Sequence, residues 1–198
     1  MLTGLKDMDD QSLVRRVQEG DQEAFTELVD RWQNKIHRFA YGFLADADDA
    51  GEITQKTFIK AYQKLDTLDD RGKFSSWIYR VANNLCLDEL KRAGRRKSTP
   101  LELWNGQSAA GTINPKTPAD TLETRELEQI LRKALLTLSE EQRTVVILKE
   151  YEGLKFREIA DILGEPENTV KSRLYYGLKH LRRTLTTWNI PKQYLNDD

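Results

Sequence analysis

Leu154 to Arg183 reads LKFREIADILGEPENTVKSRLYYGLKHLRR, two helical faces separated by a tight turn. Phe156, Ile159, Ala160 and Leu163 recur at helical spacing, and Val170, Leu174, Leu178 and Leu181 do so again after the break. Gly164 can take the positive φ that ends the first helix, and Pro166 stops it from continuing. Asn168 or Thr169 is placed to cap the second helix with a side-chain oxygen. That second helix carries Lys171, Arg173, Lys179, His180, Arg182 and Arg183, with no acid between Val170 and Arg183. A short helix, a turn and a cationic second helix have the shape and charge that the DNA major groove accepts.

Upstream, apolar residues recur at three and four rather than two, so the expected fold is all-α. A short helix holds Leu13, Val14 and Val17 and ends at Gly20. Asp21 caps a second, with Phe25, Leu28, Val29, Trp32, Ile36 and Phe39 on its apolar face. A third spans about Ala47 to Leu65, with Ile53, Phe58, Ala61 and Tyr62 inward. A charged turn, Thr67 to Lys73, leads to a fourth helix from Phe74 to about Arg92. Ser98 to Asp120 holds three of the five prolines and has no period, so it reads as a flexible linker too long for an ordinary connection. Periodicity returns at Leu127, and Ser139-Glu140-Glu141-Gln142 is a capping box opening another helix. The expected organisation is residues 1–97 as one helical domain, 98–121 as linker, 122–186 as a second helical domain and 187–198 as a tail.

Net charge is −1, so attraction to a polyanion must come from local patches such as Lys91 to Lys97 and the last helix. One cysteine excludes an internal disulfide, and two histidines with it offer no zinc site. The polar, acidic Met1 to Asp10 stretch is no signal peptide, and no apolar run reaches the ~20 residues that span a bilayer. A cytoplasmic protein with no metal, no cofactor and no membrane insertion is expected. There is no glycine-rich phosphate loop or nucleophile elbow, so no catalytic residue is assigned and an enzyme is not expected.

Three blocks, in order, resemble the extracytoplasmic-function sigma factors of bacterial RNA polymerase, within the sigma-70 family. They are Ala50 to Phe58, Phe74 to Leu85 with the basic run after it, and Asn168 to Leu174. The resemblance covers about Ser12 to Arg183. It implies that residues 1–97 form region two, which binds core RNA polymerase and recognises and melts the minus-ten element. It implies that residues 122–186 form region four, which reads the minus-thirty-five element. The core-polymerase contacts so implied are Asp48, Asp49, Glu52, Gln55 and Phe58. Gly51 and Lys56 stand where the family usually has acids, and Asp48 and Asp49 supply that charge a turn earlier. The implied minus-ten set is Asp69, Asp70, Arg71, Lys73, Trp77, Asn84, Arg92, Arg95 and Arg96. Within it Trp77 is either a base-capturing aromatic or a core residue, and at least one of Asn83 and Asn84 faces DNA. The implied minus-thirty-five set is Thr169, Lys171, Ser172, Arg173, Tyr176 and Lys179, and of Tyr175 and Tyr176 one is expected to pack. Partners implied are core RNA polymerase, promoter DNA and an anti-sigma protein. The alternative is a stand-alone helix-turn-helix regulator that needs no core polymerase.

Overall fold

A computed structural model describes residues 4–96, 122–188 and 190. Eight α-helices follow one another: α1 Asp10–Gln18, α2 Gln22–Leu44, α3 Ala47–Lys64, α4 Phe74–Arg96, α5 Leu122–Leu136, α6 Glu140–Val146, α7 Phe156–Leu163 and α8 Glu167–Thr187. Among the described residues there is no strand. The expected linker, residues 98–121, lies outside them.

The helix starts are chemically explicit. Asp9 accepts from the Ser12 amide, Asp21 from Glu23 and Ala24, Asp46 from Asp48 and Asp49, and Ser139 from Gln142. Each satisfies amides that would otherwise lack a partner, and each cap is worth about 1 kcal/mol. Gly164 closes α7 at φ 68°. The turn into α8 departs from expectation. Pro166 itself is the N-cap, without a side-chain bond, and α8 begins at Glu167. Asn168 is therefore already helical; it neither caps nor adopts a left-handed φ, and its carbonyl accepts from Ser172 Oγ. Proline provides the fixed φ that a capping asparagine would otherwise have to select.

α1, α2, α3 and α4 close on Leu13, Leu28, Ile36, Phe39, Ile53 and Ile78, all buried. Trp32, Phe39, Phe74 and Tyr79 meet edge-on, with centroids 5.7 Å apart in each pair of Trp32–Phe74, Trp32–Tyr79 and Phe39–Tyr79. Cys86 is buried here, as expected, and burial pushes its thiol up to about 12. In the second half, Val145, Val146, Ile159, Ala160, Val170 and Leu174 form the core of the helix-turn-helix. Two expected core positions are corrected. Tyr62 is 52% exposed and packs edge-on against Phe25, 5.0 Å away, in a surface groove. Leu178 is 41% exposed, because the buried stripe of α8 runs through Val170, Leu174, Gly177 and Leu185. A Cβ on Gly177 would stand 3.1 Å from Val146 Cγ2, so α6 crosses α8 there and turns Leu178 aside.

The two halves are not separate bodies. One apolar core includes residues of both, and α4 packs on α7 while α2 packs on α5 and on the Ile147–Tyr151 turn. Arg143 is the polar centre of this arrangement. It is 6% exposed, and its guanidinium donates to the carbonyls of Leu135, Leu136 and Leu138 in its own half and Phe43 at the end of α2. The last carbonyls of two helices thereby gain a cation, which their dipoles favour.

Arg143→Ala should lower stability by about 3–5 kcal/mol in urea unfolding, because buried carbonyls lose their donor. Arg143→Lys, which keeps charge but not the fork, should recover less than half of that loss.

Candidate nucleic-acid and polymerase interfaces

Three surfaces are built on this frame. The first is the loop between α3 and α4, two 3-10 turns, Leu65–Thr67 and Arg71–Lys73. Gln18 at the end of α1 holds both. Its Nε2 donates to the carbonyls of Leu65 (2.9 Å) and Leu68 (3.1 Å), and its Oε1 accepts from Arg71 Nε at 2.6 Å. Asp70 caps the second turn by accepting from the Gly72 amide, with Lys73 Nζ 4.0 Å from its carboxylate. Asp69, Asp70, Arg71 and Lys73 are all exposed. Gln18, Asp66, Leu68, Asp69 and Arg71 line a polar cleft of 390 Å³. Sequence reasoning overlooked Gln18; a glutamine at a helix end carries no periodic signal of the loop it will meet 47 residues later.

α4 presents the rest of that set. Trp77 lies at the edge of the core, half-buried, its ring 6.1 Å from Phe74. The indole is neither fully in the core nor fully exposed. Asn84 is exposed, whereas Asn83 is buried. The Asn83 Oδ1 accepts from Thr144 Oγ1 at 3.1 Å, so its polarity serves the contact between halves. Lys91 and Arg92 are exposed, and Arg92 pairs with Glu89 at 3.3 Å. Arg95 and Arg96 continue the α4 backbone, and their side chains lie outside the described residues.

The second surface is a groove of 630 Å³ between α2 and α3. Phe25, Val29, Phe58, Ile59 and Tyr62 form its floor, and Gln33, His37 and Gln55 are on its rim. Ile59 is 49% exposed. Gln55 and Phe58 belong to the groove, while Asp48, Asp49 and Glu52 sit at the N-terminal end of α3, where helix polarity favours acids. Burial, and then the carboxylates of Asp46, Glu89, Glu52 and Asp48, raise the Asp49 carboxyl above its ordinary range. Gly51 lines the groove and Lys56 pairs with Glu52, so the two departures from the family's acids have local uses.

The third surface is α8. Lys171, Ser172, Tyr175, Tyr176 and Lys179 are exposed, and Thr169 and Arg173 half-buried. Neither tyrosine packs into the core. They are 63% and 58% exposed and rest edge-on against each other, centroids 5.3 Å apart. The cations have acidic neighbours: Arg173 donates to Glu165 at 3.1 Å, and Lys171 Nζ lies 3.5 Å from Glu167.

An all-helical protein with a helix-turn-helix whose second helix exposes basic residues has the form of a DNA-binding protein. Comparison narrows this. Residues 28–96 match the model of Sigma-70 region 2, and residues 128–181 that of Sigma-70, region 4. The chain is 33% identical over 180 residues to the ECF RNA polymerase sigma factor SigW of Bacillus subtilis, covering 87% of this chain and 94% of that protein. It is 35% identical over 170 residues to the ECF RNA polymerase sigma-E factor of Escherichia coli K12, covering 84% and 88%. Among solved structures, CnrH in complex with the cytosolic domain of CnrY matches 90% of this chain and 97% of that chain at TM-score 0.68 and 24% identity. The sigma factor RpoE in complex with the anti-sigma factor NepR from Bartonella quintana matches 82% and 96% at TM-score 0.65 and 22% identity. The chain belongs to the ECF sigma factors of the sigma-70 family, and it is an RNA polymerase sigma factor. The stand-alone regulator is set aside.

Gln18→Ala should release the Leu65–Lys73 loop without unfolding the domain. Hydrogen exchange should speed up at least tenfold for amides of residues 65–73, while amides in α2 keep their rates.

Proposed function

We propose that residues 1–97 bind core RNA polymerase and open the minus-ten element, and that residues 122–186 read the minus-thirty-five element. The groove between α2 and α3 carries this reading. It exposes Phe25, Ile59 and Tyr62 in one concave apolar strip bordered by amides. An amphipathic helix of the polymerase fits such a strip, with apolar anchors entering at i, i+3 and i+4. Gln55 and Phe58 meet those anchors, and Asp48, Asp49 and Glu52 meet basic residues beside them.

Opening DNA without ATP requires that captured bases offset their unstacking. Extruding a base costs a few kcal/mol, and stacking returns about 1–3 kcal/mol per base. The near balance lets sequence decide. The polar cleft at Asp69 and Arg71 takes one extruded base, with Asp70 and Lys73 shaping its mouth. The accessible side of Trp77 stacks on the edge of the opened duplex, and Asn84 contacts the strand. Arg92, Arg95 and Arg96 contact phosphate, which positions the protein without reading sequence.

On α8, Thr169, Lys171, Ser172 and Arg173 occupy the first turns, where major-groove readers contact base edges. The Arg173 guanidinium is bidentate to guanine after leaving Glu165. Tyr176 and Lys179 reach the backbone. The protein acts in the cytoplasm, has no catalytic residue, and is restrained by an anti-sigma protein. One solved relative of its fold, RpoE of Bartonella quintana, is in complex with the anti-sigma factor NepR.

Run-off transcription with core polymerase on a randomised promoter library tests the whole reading: initiation from a restricted set of sequences is expected, and initiation from none would refute it. Phe58→Ala should weaken core binding at least tenfold by fluorescence anisotropy, since a large buried apolar side chain is worth about 1.5–3 kcal/mol. Arg173→Ala should relax choice at one minus-thirty-five base by about 1–3 kcal/mol and leave core binding unchanged.

A further inference from the structure

Helix α1 packs on both 3-10 turns of the loop between α3 and α4, although it lies before residue 28, where the match to Sigma-70 region 2 begins. One side chain at its end makes two kinds of bond there. Gln18 Nε2 uses both its hydrogens on the loop, donating to the carbonyls of Leu65 and Leu68 at 2.9 and 3.1 Å. Its Oε1 accepts from Arg71 Nε at 2.6 Å. An amide held by two carbonyls does not rotate freely, so its oxygen is a fixed acceptor. A guanidinium is planar and has five donors. With Nε held by Gln18, that plane is fixed, and the two Nη groups are the donors left for a ligand. Gln18 and Arg71 line the same cleft of 390 Å³, together with Asp66, Leu68 and Asp69.

α1 is itself fixed by the core. Leu13 and Val14 are buried, and the Asp10 carboxylate accepts from Trp32 Nε1 at 2.9 Å and from Arg31 Nη1 at 3.1 Å. Arg31 also donates to the carbonyls of Leu5, Lys6 and Met8, which straps the chain before α1 onto α2. Trp32 in turn meets Phe74, the first residue of α4, edge-on at 5.7 Å. Gln18 and the end of the loop are therefore both referred to one aromatic core.

We propose, resting on the sigma reading of this cleft, that α1 belongs to the minus-ten reader: Gln18 is the positioning residue that holds Arg71 for one extruded base and so sets the choice of base at that promoter position. An arginine ordered before the base arrives loses little freedom on binding, and its fork meets acceptors in one geometry. An arginine free to swing finds acceptors on several bases, or on phosphate, which carries no sequence information. Asp66 and Asp69 share the cleft, so an unheld guanidinium also has carboxylates as competing partners. Gln18 thus acts on discrimination at one base more than on affinity for DNA.

Run-off transcription by the holoenzyme tests this, on templates randomised across the minus-ten element and each identified by a barcode in its transcript. The wild type should favour one base at least tenfold at the position whose preference Arg71→Ala abolishes. Gln18→Met, which keeps the length and loses all three bonds, should lower that preference at least fivefold and leave other positions within about twofold of the wild type. In the Arg71→Ala chain, Gln18→Met should lower it no further. Val14→Ala, which loosens the packing of α1 without touching the loop, should leave the preference as it is. Should circular dichroism show Gln18→Met unfolded, Gln18→Lys replaces it: its ammonium still donates to the two carbonyls but offers Arg71 no acceptor, and the same loss at one position is expected. A fall in transcription that is uniform across sequences, an unchanged preference, an additive loss in the double variant, or no position altered by Arg71→Ala would each overturn the positioning role and leave the sigma reading standing. Initiation from no template by the wild type would overturn both.

Discussion

Taking a carboxylate out of water is unfavourable unless a cation and hydrogen bonds replace the solvent. Glu152 meets that condition only when both halves of the chain are present. Its partners, Arg38 and Tyr79, come from α2 and α4, and the turn that delivers it comes from the second half. The bond to Glu152 raises the Arg38 guanidinium above its ordinary value, while burial, with the same carboxylate second, raises the Tyr79 phenol. Both shifts keep the protonated, donating forms in place. Arg143 obeys the same constraint with the sign reversed: a buried cation is tolerated because four carbonyls converge on it. The relative placement of the two halves rests on these two buried charges together with the apolar core they share.

The division of labour between helices follows. α2 and α4 each have one side against the other helices of the first half and another against the second half, which is why Tyr79 is buried between them. α3 contributes to only one core, so its outer side is left to form the groove with α2. α8 likewise spends its buried stripe on α6 and α7 and leaves the whole opposite side to solvent.

Most of the fold was legible because it rests on short-range physics. The 3.6-residue period, the Asp21 cap, the Ser139 capping box and Gly164 located the starts of α2, α3, α4 and α6 and the end of α7 within a few residues. The failures have long-range causes. Leu178 has the spacing of a core residue, but the approach of α6 at Gly177 rotates the buried stripe away from it. Tyr62 has the period of a core residue but points into a groove that only α2 could define. Asn168 resembles a cap, and Pro166 two residues earlier had already taken that place. The site was legible where it lies on one segment, as on α8 or in the Thr67 to Lys73 turn. Gln18, Asn83 and Glu152 were not legible, because each acquires its meaning from partners 47 to 114 residues away in sequence.

The acids beside α8 have a kinetic meaning. Lys171 is shared between Glu167 and the Phe156 ring, 5.6 Å from its Nζ, and Arg173 is held by Glu165. A cation already paired gains less than a free one from displacing counterions at a phosphate, because it must first give up its carboxylate, which then repels the DNA. Random sequence does not offset that exchange, whereas a guanine edge does. On the reading proposed for α8, the helix would stay only briefly on random sequence, and a promoter search would lose little time at wrong sites.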